Sequence, residues 1–349
     1  MPCLPLPPSP VIASFCYTGD RLSYGEPDVK GDSFPMTWHG DGHLYTSAGD
    51  PNWGESHSGL DVERLSGGPT EYRISKVNPM NDFVGFGGTG PKPTGMIAVD
   101  DILYLAFQNL LGTRVAPHSL RSQHGSDACI IYDAGSRGTQ WTPALKTIAE
   151  PMFPGYFFGG PTFVQFGRNN AGARDEFVYA VSSDQWDNGS NLRLGRVPAD
   201  RIPRREAWQW VGAFALDGQP AWTHLLSDAI PVLSLHRWIS QPEMVYLPAI
   251  RRYLLLTWRL HRDFSSADGS DLVILDAPEP WGPFSLVHIE ELWEGRAFNA
   301  YCPRLPLKWL DADGFGGWLQ FSGSWGYGPD GLQLASYRSH VRPFRLVLR

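Results

Sequence analysis

Cationic charge is in short supply in this sequence. Only 29 Lys and Arg stand against 36 Asp and Glu, a formal net charge of −7. A protein that docks on nucleic acid needs a basic surplus to neutralise phosphates, so a dedicated nucleic-acid role is excluded. Long apolar runs are missing as well. No window approaches the roughly 18 uncharged apolar residues of a spanning helix, and no membrane partner is expected. Cysteine is scarce: Cys3, Cys16, Cys129 and Cys302 form no CxxC pair and no other ligand spacing. Neither a disulfide framework nor a zinc site can be read from them, and buried free thiols are the expectation. The start, Met1 to Pro10, has no basic n-region and no apolar h-region. It is therefore not read as a signal peptide, which leaves a cytoplasmic chain or the mature form of a secreted one. The sequon Asn188-Gly-Ser190 is a lone match and says little about secretion. Helical periodicity is nearly absent, with room for one short turn within 201–208.

What the chain has is 14 Trp, 13 Tyr and 18 Phe beside 38 Gly and 30 Pro, with 42% apolar and only 19% charged residues. That composition excludes disorder and supports a large core. Aromatics with many turn formers suit short strands joined by tight turns. They also suit carbohydrate binding, because sugar rings offer apolar C–H faces to indoles, although most of these rings are expected in the core.

One pattern recurs five times: an apolar strand, a short gap, then a strand with an aromatic near its start. The pairs are 33–38 with 43–50, 94–99 with 102–109, 161–166 with 177–184, 242–247 with 252–258, and 303–308 with 317–323. Their shared aromatics are Tyr45, Tyr104, Tyr179, Tyr253 and Trp318. Each interval has space for two more strands. The expectation is an all-β, five-bladed β-propeller with four-stranded antiparallel blades; a β-sandwich is the rival. Residues 1–10 are expected to be a loose N-terminal segment and 11–349 a single propeller domain. The segments 11–17 and 345–348 are candidates for closing the ring. Asp133 to Trp141 resembles, imperfectly, the Asp-box hairpin of sialidase-type propellers.

In a propeller the first strand of each blade lines the central channel and the second runs back beside it. The start of the first and the end of the second therefore share one face of the disc. That face collects Asp32, Asp50, Asp184 and Glu243 with Lys92, Arg304, Asn109, Tyr301 and Trp258. Asp100, Asp101 and Asp175 sit at the other end. Crowded carboxylates beside cations separate their pKa values, which glycosidic acid/base catalysis requires. Asp32, Glu243, Asp50 and Asp184 are thus the candidate catalytic set. Lys92, Arg304, Asn109, Tyr301, Trp258, Trp53, Trp38 and Trp325 are the candidate substrate-binding set, with Trp186 in a loop leaving the same face. Against this, Asp32, Asp50 and Asp184 each stand where a turn residue would. Arg304 serves equally as a structural partner of Glu243. Glu243 interrupts an apolar strand, which is costly unless it is paired or lines the channel. His39, His43 and His57 show no ligand spacing, no cofactor is expected, and a channel calcium has no support from spacing.

The segments Gly31-Asp-Ser-Phe-Pro-Met-Thr-Trp38, His43 to Asp50, Leu192 to Pro198, Met244 to Leu255 and Ala277 to Phe284 resemble a known family. It is a five-bladed propeller glycoside hydrolase family, at first an uncharacterised domain family, that includes bacterial endo-D-arabinanases. The resemblance spans most of residues 28–325. It implies a glycan substrate, an acidic residue at the entry of the first blade where Asp32 stands, and a Glu acid on a later blade where Glu243 stands. The expectation is a glycoside hydrolase on furanose-rich, arabinan-like glycans, Asp32 acting as base or nucleophile and Glu243 as acid. The alternatives are a propeller lyase on uronic-acid glycans, with Lys92 and Arg304 neutralising the sugar carboxylate, and a non-catalytic sugar-binding propeller. Sugar, linkage and oligomeric state are not legible.

Overall fold

The structure is a computed structural model. It describes residues 4–24, 31–49, 51, 60–80, 91–108, 128–133, 140–142, 151–155, 157–262, 268–323, 326–328, 331–333 and 337–349. Two N-terminal strands come first, β1 (Ile12–Tyr17) and β2 (Leu22–Tyr24). Blade one is β3 (Met36–Trp38), β4 (Leu44–Gly49), β5 (Leu60–Ser66) and β6 (Arg73–Met80). Blade two is β7 (Lys92–Val99), β8 (Ile102–Gln108), β9 (Cys129–Asp133) and β10 (Trp141–Thr142). Blade three is β11 (Thr162–Phe163), β12 (Phe177–Ser183), β13 (Gly189–Pro198), β14 (Gln209–Phe214), β15 (Pro220–Thr223) and β16 (Leu233–Ile239). Blade four is β17 (Glu243–Leu247), β18 (Arg252–Leu260), β19 (Ser270–Ala277) and β20 (Ser285–Glu290). The last strands are β21 (Tyr301–Arg304), β22 (Gly316–Gly323), β23 (Gly326–Gly328), β24 (Gly331–Gln333) and β25 (Arg338–Leu348).

The five repeated pairs are the two inner strands of five antiparallel sheets, so the chain is an all-β five-bladed propeller. Among the described residues there is no α-helix. Short 3-10 turns occur at Ala199–Arg201 and Arg205–Ala207, where one turn was expected. The first strands lie side by side around the ring: β3 by β7, β7 by β11, β11 by β17 and β17 by β21. Blade three exceeds four strands because β13 is long enough to pair β14 along one part and β16 along another.

Blade five closes the circle. Its order is β21-β22-β25-β1, with Phe15 paired to Leu346 and Tyr17 to Phe344. The two candidate closing segments are therefore partners of each other. Residues 4–10, expected to be loose, are held instead. Ser9 N–H donates to the Leu286 carbonyl, Leu286 N–H donates to the Pro7 carbonyl, and Leu4 and Ser9 are buried. Cys129 and Cys302 are buried, but Cys16 is exposed because β1 is an outermost strand. Asp133 Oδ1 accepts the Gln140 N–H at 2.9 Å, which ties the β9–β10 hairpin that the Asp-box likeness marks.

Apolar residues from adjacent blades interlock into seams. One core joins blades one to three, a second joins four and five, a third joins three and four, and a smaller one joins blade one to blade five. The channel itself is spanned by polar side chains. Thr37 Oγ1 donates to Gln165 Oε1 at 3.1 Å, and Gln165 Nε2 donates to the Met96 carbonyl at 2.7 Å. Higher up, Gln241 Nε2 donates to the carbonyls of Pro93 and Thr94.

Candidate active site

Asp32 enters the channel mouth because the backbone before β3 is bent. Asp32 and Gly49 exchange two backbone hydrogen bonds at 2.9 and 3.0 Å, pinning the entry of blade one to the end of β4. Gly31, Ser33 and Phe34 all have positive φ, at 139°, 70° and 38°. Non-glycine residues rarely adopt such angles, and such strain concentrates at functional sites. The carboxylate is 7% exposed. Its Oδ1 accepts the Ser33 hydroxyl at 3.0 Å and its Oδ2 accepts the Tyr301 hydroxyl at 3.1 Å. Gly49 leaves the necessary space. A Cβ there would sit 2.6 Å from Asp32 Oδ1, 3.0 Å from Pro93 and 3.5 Å from Lys92. Lys92 thus stands next to Asp32 across that glycine.

Glu243, the first residue of β17, is 3% exposed. Its Oε2 pairs with Arg304 Nη1 at 3.1 Å, and its Oε1 accepts the Leu305 N–H at 3.2 Å. Burial pushes its pKa above the ordinary glutamate value, while the Arg304 charge and both hydrogen bonds oppose that rise. Arg304 is fully buried; Nε also donates to the Ser33 carbonyl at 3.0 Å and Nη1 to the Pro242 carbonyl at 3.2 Å. One guanidinium therefore joins the residue beside Asp32 to Glu243. Cys302 follows Tyr301 on the same strand: burial raises its thiol pKa, Arg304 opposes, and the charges of Asp32 and Glu243 both add to the rise.

Beside this pair is a small hollow, open to solvent and lined by Gln108, Gly159, Gly160, Ser183, Gln185, Trp186 and Gln241. Gln108 pairs with Lys92 across β7 and β8, and Gln241 Oε1 accepts the Cys302 thiol at 3.2 Å. The hollow and the acids therefore share one mouth. The lining is amides, a hydroxyl, backbone and an indole. It offers hydrogen bonds and an indole but no formal charge.

The remaining candidates separate. Asp184 ties a hairpin: Oδ1 accepts the N–H groups of Ser190 at 2.9 Å and Asn191 at 3.2 Å, and Oδ2 accepts Asn191 Nδ2 at 2.8 Å. Trp258 is fully buried beneath the mouth, donates to the Gln241 carbonyl at 3.2 Å and packs on Tyr301. It has no face left for a sugar. Tyr301 is 1% exposed and holds Asp32 instead of reaching solvent. Trp38 lies at the opposite mouth, with Thr37, Gln165 and Leu307. Asp50, Asn109, Trp53, Trp325 and His57 lie outside the described residues. His39 faces the Asp101 carbonyl at 3.0 Å and accepts the Asp41 N–H, and His43 lies 3.4 Å from Asp41. Among the described residues no three His, Cys, Asp or Glu side chains gather as a metal site.

Sequence reasoning missed Gln108, Ser183, Gln185, Gln241 and Cys302. Gln108 and Ser183 each stand one position before a strand end that was counted, and Gln241 stands two before Glu243. A search for charged and aromatic groups passes over neutral amides, although glutamines recurring at the strand ends were a readable signal.

No family model matches the chain, and no curated protein matches it in sequence. Solved structures share its fold. One is a protein of unknown function from Dyadobacter fermentans, at 10% identity over 96% of this chain and 100% of that one, TM-score 0.52. Another is an α-L-arabinofuranosidase from Lactobacillus brevis, at 13% identity over 93% and 92%, TM-score 0.52. A third is the exo-β-1,3-galactanase of Phanerochaete chrysosporium with galactose, at 10% identity over 93% and 64%, TM-score 0.52. Two of the three are glycoside hydrolases.

Proposed function

We propose that the protein is a glycoside hydrolase acting on furanose-rich, arabinan-like glycans. Glu243 is the general acid and Asp32 the base or nucleophile. The observation that carries this reading is the linking of Asp32 and Glu243, from blades one and four, through Tyr301, Arg304 and the Leu305 N–H of one segment, beside an uncharged hollow. Burial raises the Glu243 pKa, with the Arg304 charge and the Leu305 N–H opposing. Asp32 accepts two hydroxyl donors. Hydrolysis of a glycosidic bond requires one acid to hold a proton and one to hold charge, and this reading assigns the first part to Glu243 and the second to Asp32. Lys92, beside Asp32, would hold a sugar hydroxyl. The lyase alternative loses support because Arg304, one of its two cations, is buried against Glu243.

Asp32→Asn and Glu243→Gln test the assignment by release of reducing ends from arabinan and arabinogalactan. Each is expected to lower the rate by about 10²–10⁴-fold, the usual contribution of a positioned acid or base. Unchanged release by both variants would remove the site. A product absorbing as an unsaturated uronate would replace the hydrolase with a lyase.

A further inference from the structure

Blade five supplies neither the acid nor the base, yet its first strand touches both. Five consecutive residues, Tyr301 to Leu305, hold Asp32 through Tyr301, the neighbouring Ser33 carbonyl through Arg304, and Glu243 through Arg304 and the Leu305 N–H. The register explains how. Tyr301 pairs with Ser322 and Arg304 with Gln320, so three steps along β21 match two along β22. In a regular strand, positions three apart point to opposite faces. The extra residue of a bulge removes that alternation and re-aims the side chains around it. Here it puts the Tyr301 hydroxyl and the Arg304 guanidinium on the same side, toward blade one. Cys302 sits in the bulge with φ 50°, an unusual angle for a residue with a Cβ. Its thiol donates to Gln241 Oε1, while Gln241 Nε2 holds the carbonyls of Pro93 and Thr94 on β7. The bulge is thus tethered across the channel to blades two and four.

We infer that the bulged segment Tyr301–Arg304 is a positioning element that fixes Asp32 and Glu243 as one unit, with the Cys302–Gln241 contact setting its pitch. This rests on the acid and base assignment above. Tyr301 and Arg304 act through the two carboxyls and do not contact substrate; both are at most 1% exposed.

The test compares Tyr301→Phe, Cys302→Ala and Cys302→Ser with the wild-type protein, after thermal melts confirm folding. Two readouts are taken: the pH profile of kcat and KM on arabinan oligosaccharides, and the titration of the Asp32 and Glu243 carboxyl carbons by NMR. Removing the Tyr301 donor should shift the Asp32 titration upward and carry the acidic limb of the profile up with it. Cys302→Ala should lower kcat about tenfold with KM little changed, and Cys302→Ser, which keeps a donor, should restore most of it. An active wild-type enzyme whose Tyr301→Phe and Cys302→Ala variants keep their pH limbs and kcat would overturn the inference. If the wild type releases no sugar, the proposed function fails and the titration alone decides. An Asp32 carboxyl that moves in Tyr301→Phe then upholds the positioning role, and one that does not move overturns it.

Discussion

Single atoms decide much at this channel mouth. The hydrogen of Gly49 occupies the place where a methyl group would press on Asp32 Oδ1 at 2.6 Å and on Pro93 at 3.0 Å. Gly49→Ala should therefore displace the acid that blade one presents. The expected outcome is at least a tenfold loss of kcat with a stability cost of about 1–3 kcal/mol, measured by steady-state kinetics and urea melts of the same sample. A second residue-scale feature lies away from the mouth. Asp61 and Glu63, alternate residues of β5, are both fully buried, and one cation, Lys76, reaches Asp61 at 3.1 Å. Burial first, and then the Asp61 charge, raise the Glu63 pKa well above its ordinary value, with Lys76 opposing. An acid whose folded pKa is raised binds its proton more tightly in the native state. Stability therefore falls as pH rises from the unfolded value of about 4.3 toward the folded one. Glu63→Gln keeps the shape without the titration. It should raise Tm, by more at pH 8 than at pH 5, and an equal shift at both values would count against the buried acid.

At the scale of elements, the turn between the first and second strands is built the same way in several blades. Asp41, Asp175 and Asp313 each accept the N–H of the residue two positions on. In blades one and three the same carboxylate also accepts a tyrosine hydroxyl four positions on, Tyr45 or Tyr179. The recurring aromatic is thus half of a turn lock, and Asp175, noted only as an acid at the far end, is the other half. Burial of Asp41 opposes ionisation, but the His43 N–H, the Tyr45 hydroxyl and the His39 charge outweigh it and hold the pKa down to about 2. The sign follows: this contribution is complete above the unfolded pKa near 4 and is lost as pH falls through about 2. Asp41→Asn should destabilise the protein at pH 6 and make its stability less steep between about pH 4 and pH 2, read from denaturant melts along that series.

For the whole molecule the decisive feature is closure. Strand β25 pairs with β22 on one side and with β1 and β2 on the other, so the two ends of the chain complete one sheet. Phe15 of β1 stacks on Phe344 of β25 with centroids 5.0 Å apart and is 4% exposed. Phe15→Ala should cost about 3–5 kcal/mol by leaving a cavity at the closure, measured by the urea midpoint. Without β1 the edge of β25 would be bare, and such edges pair with other chains. Closure also serves the site. Asp32, Glu243 and Arg304 come from blades one, four and five, and they converge only in a finished ring.

Sequence alone determined the features that depend on near neighbours. Apolar runs, turn residues and a repeated aromatic specify strands and their order, and five copies of one unit specify a ring. The same logic brought Asp32 and Glu243 to one face, because strand direction follows from antiparallel pairing. Local context could not separate Asp32 from Asp184, since both read as acids in a polar turn. In the folded chain Asp184 is consumed by its own hairpin, while Asp32 is held by a tyrosine from the far end of the sequence. It could not show that Trp258 is buried under the mouth, that Trp38 lies at the opposite end, or that neutral glutamines line the hollow. Those outcomes depend on which side chains from different blades meet. That is set by burial and by hydrogen-bond partners distant in the chain, so only tertiary packing decides it.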